Sequence, residues 1–297
     1  MAVIDIHEHI ITRGSVTLPD SGVTIVTASE MVAVMDRKGI DKAVVLPLVN
    51  PETMWFLQSN DEAFAACDMY PDRFIRFCNV DPRHMGNRRT FDFTPYLEYY
   101  REQGARGIGE VTAHLWWDDP RMQNLLKACD TVGFPFTFHV ATQELDQYGI
   151  ITEAGLGGLE RALRKYPHVK FLGHSPGWWG EVGPTLPQAS RNSTGSAKGK
   201  VLPGGRVPEL LRKYPNMYGD LSAYSGHNAV SRDPEWGYEF MDEFQDKLFF
   251  GLDICYPNND ACPLVDFMSD ALAAEKISDE AYGKIMGGNA VRLLDLE

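Results

Sequence analysis

Cysteine is sparse and unpaired in pattern. Cys67, Cys78, Cys129, Cys255 and Cys262 form an odd set with no C-x-x-C spacing. That argues against a disulfide framework and a thiolate zinc site, and leaves them as small apolar residues of a reduced protein. Positive charge is also short: 28 Lys and Arg stand against 41 Asp and Glu, a formal net charge of −13. A general nucleic-acid binder carries a basic stripe, and none is present. No stretch approaches the ~18 consecutive apolar residues of a membrane span. No basic region followed by an apolar run and a cleavage site opens the chain. A cytoplasmic protein with neither nucleic acid nor membrane as partner is the expectation. Self-association into a homo-oligomer is left open. A glycine-rich dinucleotide fingerprint after the first apolar strand is missing too, which disfavours a doubly wound open sheet.

What is present is a repeated unit. Hydrophobic residues make up 44% of the 297, ample for a large core. Ala2–His9 reads as a strand, a helix from about Ser29 stops at Gly39, and Ala43–Leu46 is the next short apolar strand. Further strands are expected at 74–80, 107–111, 135–140, 169–174, 217–221 and 248–253. Helices are expected near 60–70, 94–103, 120–132, 157–166, 207–214, 235–246, 262–274 and 279–295. Tyr-Pro stands at 70–71, 166–167 and 214–215, each time between a helix and the next strand, where proline ends the helix. Eight βα units over one chain of this length predict a (β/α)₈ TIM barrel, residues 1–297 forming a single domain. The longest irregular stretch, 176–206, follows strand six and reads as a loop insertion; loops of that length are usually functional or disordered.

Barrel enzymes place their chemistry at the C-terminal ends of the strands. His7 and His9 end strand one, Glu110 strand four, His139 strand five, His174 strand six and Asp253 strand eight. Residues i and i+2 of a strand share a face, so His7 and His9 can reach one metal ion while Glu8 turns away. Taken singly, His139 reads as a bonded core histidine, Glu110 as a rim carboxylate and Asp253 as a loop cap. Together they make a nitrogen and oxygen donor set suited to a divalent metal, zinc first, with Mn, Fe or Co as alternatives. One ion or two fit the set. In the two-ion arrangement His7, His9 and Asp253 hold one, His139 and His174 the other, and Glu110 bridges. In the one-ion arrangement His7, His9, His139 and Asp253 bind, and His174 is free for acid–base work. Either way Asp253 can take the proton of the attacking water. His114 and His227 follow strands four and seven and can reach the same rim; His84 and His168 lie in connections.

The order His7-x-His9, Glu110, His139, His174, Asp253 resembles the amidohydrolase superfamily, in particular its amidohydrolase-2 group, related to aminocarboxymuconate-semialdehyde decarboxylase. Supporting stretches are Gly107-Ile108-Gly109-Glu110, Asp119-Pro120-Arg121-Met122, Phe250-Gly251-x-Asp253 and Gly288-Asn289-Ala290-x-Arg292-Leu293-Leu294. The resemblance spans nearly the whole chain and implies a metal-dependent barrel, without fixing the reaction: members hydrolyse C–N and C–C bonds, open lactones, hydrate or decarboxylate. Decarboxylases of the group typically do without a strand-four carboxylate, so Glu110 favours hydrolysis of an amide, ester, lactone or C–C bond of a small substrate. Decarboxylation or hydration of an aromatic or unsaturated carboxylic acid is the alternative. The Gly-Glu pair is also similar to TatD-type nucleases, a reading the acidic charge opposes. A non-catalytic barrel with a structural metal is disfavoured because such a site closes with four ligands.

Substrate contacts are expected from Trp116 and Trp117 after strand four and from Trp178 and Trp179 after strand six, as an aromatic wall. Tyr224, His227, Arg232 and Tyr256 follow strands seven and eight. Arg232 can anchor a carboxylate, although pairing with Asp233 or Asp220 is the favoured reading.

Overall fold

The computed structural model describes residues 2–18, 22–53, 55–144, 147–185, 197–257 and 260–296. Its strands are β1 (Ile4–Glu8), β2 (Lys42–Val45), β3 (Phe74–Arg76), β4 (Ile108–Val111), β5 (Phe136–Ala141), β6 (Phe171–His174), β7 (Met217–Asp220) and β8 (Leu248–Phe249). A two-residue strand, Ile150–Ile151, pairs with the end of β5. Every pairing is parallel, within two arcs running β1 to β3 and β4 to β8. Both seams are bridged. The Gly109 N–H donates to Cys78 O at 2.9 Å, and the Ile6 N–H donates to Phe250 O at 2.9 Å. Parallel bridges Cys78–Ile108 and Glu8–Ile254 mark the same seams. The sheet is therefore a closed (β/α)₈ barrel.

Around it run α1 (Ala28–Lys38), α2 (Asn60–Met69), α3 (Thr94–Glu102), α4 (Pro120–Val132), α5 (Gly157–Lys165), α6 (Pro176–Trp179), α7 (Arg206–Lys213), α8 (Ala223–Ser231), α9 (Pro234–Glu243), α10 (Leu264–Ala273), α11 (Asp279–Gly283) and α12 (Asn289–Leu294). Tyr70, Tyr166 and Tyr214 each cap the C-terminus of a helix, so the Tyr-Pro punctuation falls where the sequence places it. Strand alternation sorts the core into two parts. Ile4, Ile6, Val44, Leu46, Ile75, Phe77, Leu172 and Phe249 form a small inner cluster that Ala290 and Leu294 of α12 complete. Their neighbours along the strands, among them Ala43, Phe74, Phe171 and Leu248, join the large layer between sheet and helices. No helix among the described residues is long and apolar enough to cross a membrane.

Four local expectations change. Helix α1 is capped by Thr27 rather than Ser29: Thr27 and Glu30 form a reciprocal capping box, which satisfies two N–H groups where Ser29 would satisfy one. Helix α8 replaces an expected loop; its polar, glycine-containing sequence carries little helical signal, and packing supplies what propensity does not. The final helix is interrupted by a wide π-type turn at Lys284–Gly288. The stretch 176–206 begins with α6 and a 3₁₀ turn, Gly180–Val182, while 186–196 lie outside the described residues.

Glu160 clips α5 to α7. It accepts from Arg206 Nη2 at 2.8 Å, Lys213 Nζ at 2.7 Å and the Tyr214 hydroxyl at 2.8 Å. Lys213, then Tyr214 and Arg206, lower its carboxyl pKa to about 2. A depressed folded-state pKa contributes stability above the unfolded value, roughly 4.3, and that contribution is lost as pH falls through the folded value. Melting temperatures of wild type and Glu160→Gln are expected to differ most above about pH 4.5 and to converge toward about pH 2.

Candidate metal centre

The site begins with an irregularity in β1. With Ile4 and Ile6 facing the interior, strict alternation would send His7 and His9 outward. The register of β1 against β2 shifts between Asp5 and Glu8, and such a bulge re-aims the side chains that follow. Asp5 and Glu8 accept the backbone N–H groups this seam leaves over. Asp5 Oδ1 takes those of His7 (2.9 Å) and Leu252 (3.3 Å), and Glu8 Oε2 takes that of Ile254 (2.9 Å). Glu8 is thus turned from the metal donors, as alternation implied. Burial pushes both carboxyl groups up, Asp5 to about 7, and the neighbouring Asp5 charge raises Glu8 further.

His7, His9, Glu110, His174 and Asp253 converge above the inner cluster. His7 Nε2 lies 3.1 Å from His9 Nε2, 3.7 Å from Asp253 Oδ1 and 3.7 Å from Glu110 Oε2. His9 Nε2 lies 3.3 Å from Asp253 Oδ1 and 3.7 Å from Glu110 Oε2. A tetrahedral ion with ligands at roughly 2.0–2.1 Å separates neighbouring donors by about 3.3 Å, so the His7, His9 and Asp253 atoms fit one ion, with Glu110 Oε2 beside both histidines. The other oxygens face the remaining histidines. Glu110 Oε1 is 2.8 Å from His139 Nδ1 and 3.9 Å from His174 Nε2; Asp253 Oδ2 is 3.4 Å from His174 Nε2. The donor groups close enough to share an ion are His7–His9–Asp253 and His7–Glu110–His174. His139 belongs to neither. It sits beside Glu110 with its ring against Tyr148.

The far nitrogens are held in a way that leaves Nε2 available. His9 Nδ1 donates to Leu46 O at 2.7 Å, His7 Nδ1 to Asp220 Oδ2 at 2.6 Å, and His174 Nδ1 meets Ser222 Oγ at 2.9 Å. A bonded Nδ1–H fixes the tautomer whose Nε2 lone pair can bind metal. Asp220 is itself fixed: Oδ1 accepts the Ser222 N–H at 2.9 Å, and its carbonyl accepts Trp179 Nε1 at 2.8 Å. Burial opposes charge throughout, yet Asp220 and then Asp253 hold the His7 imidazolium well above its ordinary range. His139, then His7, hold the Glu110 carboxyl well below its range. His7, with bonds from His174 and His9, depresses Asp253 further. Burial lowers His139. A cluster balanced in this way releases protons on taking up a cation.

A cavity of 240 Å³ opens over these residues, bounded by His9, Glu110, Asp253, Tyr148, Tyr256 and Cys255 among others. Cys255 is half-buried and its Sγ lies 3.5 Å from Asp253 Oδ1, whereas Cys67, Cys78, Cys129 and Cys262 are buried as expected of apolar fillers. Tyr224 and Thr53 line it too. The tryptophan wall is not found there. Trp178 is fully buried behind β6, lying over Gly173 and edge-on to Phe138, because a strand glycine leaves a groove that an aromatic ring fills. Trp117 and Trp179 are buried as well, and Trp116 is 42% exposed, apart from the cavity lining. His227 packs on Phe267 and meets Ser231, and Arg232 points toward Gly183. Neither lines the cavity, and Asp220, offered as an Arg232 partner, is bound to His7. His114 ties the loops after β4 and β5 through Gly149 O and Glu144 O. Ser222, Thr53 and Tyr148 are not singled out by the sequence, which reads Asp220 only as an Arg232 partner and Cys255 only as a small apolar residue. Asp220 carried the same signal as the others, a carboxylate ending a strand.

This barrel, with histidine and carboxylate donors gathered at the C-terminal rim of its strands, is of the metal-dependent hydrolase and lyase class. The family model described as amidohydrolase, its second group, matches residues 4–296, and the chain belongs to that family. No curated protein matches the sequence. Among solved structures it is similar to an uncharacterized TIM-barrel protein from Bordetella bronchiseptica (17% identity, 99% of each chain, TM-score 0.62). It is also similar to a probable 2-pyrone-4,6-dicarboxylic acid hydrolase from Acinetobacter baumannii (16%, 100% of each chain, TM-score 0.60). A third is 5-carboxyvanillate decarboxylase from Sphingomonas paucimobilis (16%, 100% of this chain and 99% of that one, TM-score 0.57). Family and donor set together make this chain a metal-dependent enzyme of amidohydrolase type.

Two outcomes follow for metal uptake. Because Asp220 and Asp253 hold the His7 proton well above its ordinary range, a cation must displace that proton, and apparent affinity is expected to rise with pH in competition titrations. Asp220→Asn keeps an acceptor oxygen but removes the negative charge that orients His7 and raises its basicity, and is expected to weaken binding by about 10- to 100-fold with the fold retained.

Proposed function

We propose that the enzyme is a hydrolase, cleaving an amide, ester, lactone or activated C–C bond of a small molecule with water activated at a zinc-type centre. One observation carries the reading. Glu110 and Asp253 each turn one oxygen toward the His7–His9 pair and the other toward His174. Carboxylates with donors on both sides suit a pair of ions, with His7, His9 and Asp253 on one side and Glu110 and His174 on the other. When bound, such a metal lowers the pKa of water toward neutrality and polarises the scissile oxygen. The chain's own residues do the rest. Asp253, held ionised, accepts the proton of the attacking water, and His174, 3.4 Å from its second oxygen, is the next carrier toward the leaving group. The cavity admits a small substrate, not a polymer groove.

The alternative is non-oxidative decarboxylation or hydration of an unsaturated acid. It is favoured by the fact that His7, His9 and Asp253 make a donor group for one ion by themselves, which leaves His174 Nε2 free to protonate carbon. The 5-carboxyvanillate decarboxylase shares the fold.

Elemental analysis of the purified protein is expected to give two divalent ions per chain; one ion would favour the alternative. Asp253→Asn is expected to lower kcat by about 10²–10⁴-fold on any substrate found in an ester, lactone and amide panel. Activity that survives this change would remove Asp253 from the chemistry.

A further inference from the structure

Tyr148 lies in the connection after β5, just before the short strand Ile150–Ile151, and it bounds the cavity together with Glu110 and Asp253. Three features fix it there. Its ring stands 4.4 Å from the His139 imidazole, tilted by 44°. The next residue, Gly149, has φ +107, and a Cβ there would fall 2.8 Å from His139 Cδ2 and 2.9 Å from Ala141 N. Only glycine lets the backbone cross His139 so closely. That peptide is then pinned on both sides, the Gly149 N–H donating to Thr112 O at 2.8 Å and its carbonyl accepting from His114 Nδ1 at 3.2 Å. The phenol is placed by the chain around it, while its hydroxyl bonds to nothing among the described residues. Burial, then the charges of Glu110 and Asp253, push its pKa well above the ordinary value.

Resting on the hydrolytic reading above, we propose that the Tyr148 hydroxyl is a catalytic hydrogen-bond donor to the substrate oxygen that becomes negative on attack. The water oxygen forms a bond to the carbonyl carbon, the carbonyl π pair moves onto its oxygen, and Asp253 takes the water's proton. Tyr148 donates a hydrogen bond to that oxygen and keeps its own proton. When the pair returns, the bond from carbon to the leaving nitrogen or oxygen breaks, and the leaving group receives the proton that Asp253 took. A donor aimed at charge that exists only after attack acts on kcat rather than on substrate binding.

The test is Tyr148→Phe, which keeps the ring and its contact with His139. With the metal-loaded protein and the best substrate of the panel, kcat is expected to fall by about 100-fold and KM to stay within about threefold. The dissociation constant of a phosphonate isostere of that substrate, measured by calorimetry, is expected to weaken by a similar factor. Metal content and melting temperature should match wild type. An unchanged kcat, or a loss confined to KM, overturns the assignment and leaves the hydrolase reading standing. A wild-type protein that hydrolyses nothing in the panel overturns the reading, and this inference with it.

Discussion

The structure depends on keeping several ionisable side chains together almost out of reach of water. His7, His9, Glu110 and His174 are at most 4% exposed, and Asp220 is fully buried. An isolated charge in such a place is strongly disfavoured and would shed or gain a proton instead. Here imidazoles and carboxylates alternate, so each charge has an opposite neighbour. The backbone contributes too: Leu46 O and the Ser222 N–H complete shells that side chains leave open. Such a cluster is a poor source of stability, since separating paired buried charges from water costs about as much as their attraction returns. Its persistence is better understood as preparation for a cation.

That preparation is inherited from the way the barrel closes. The seam between β1 and β8 is where regular pairing gives out. β1 slips in register, and Asp253 adopts a left-handed backbone, φ +56, as the chain leaves β8. Non-glycine residues in that region cost of order 1 kcal/mol or more and persist where surroundings impose them. The Asp253 N–H donates to His7 O at 3.0 Å, so the backbone bond that joins the seam also sets the carboxylate beside the His7–His9 pair. Asp5 and Glu8 satisfy the leftover N–H groups behind it. Below, Ile4, Ile6, Leu46 and Phe77 fill the barrel, and α12 seals its far end. Away from that packed end, His9, Glu110 and Asp253 face the 240 Å³ cavity.

The barrel was legible because its signals are local and repeated: short apolar strands, helix-ending glycines and the Tyr-Pro stops at 70, 166 and 214. The rim series His7, His9, Glu110, His139, His174 and Asp253 was legible because polar residues end strands that should be apolar. What stayed hidden depends on direction rather than position. Trp178 follows a strand as a rim residue should, but Gly173 draws its ring to the outer face, and no spacing rule reveals which side a residue beyond a strand takes. Asp220 ends its strand like the others and was read as an arginine partner, since its hydrogen bond to His7 joins residues 213 positions apart. His139 has the right position, and only the geometry shows it leaning on Glu110.

The polarity of the cavity bears on what the site can accept. Around the carboxylate-rich centre the described lining offers phenols, a threonine and a thiol, with no lysine or arginine among them. Against a single divalent ion the two carboxylates balance its charge, and among these residues an anionic substrate would then meet no further cation to balance its desolvation. A neutral carbonyl has no such requirement. Its oxygen becomes charged only during reaction, and at that moment a fixed neutral donor acts without the reorganisation that water would need. The physical demands of the lining and of the buried cluster thus agree: charge is matched in the resting site, and the unmatched hydrogen-bonding capacity faces the place where new charge develops.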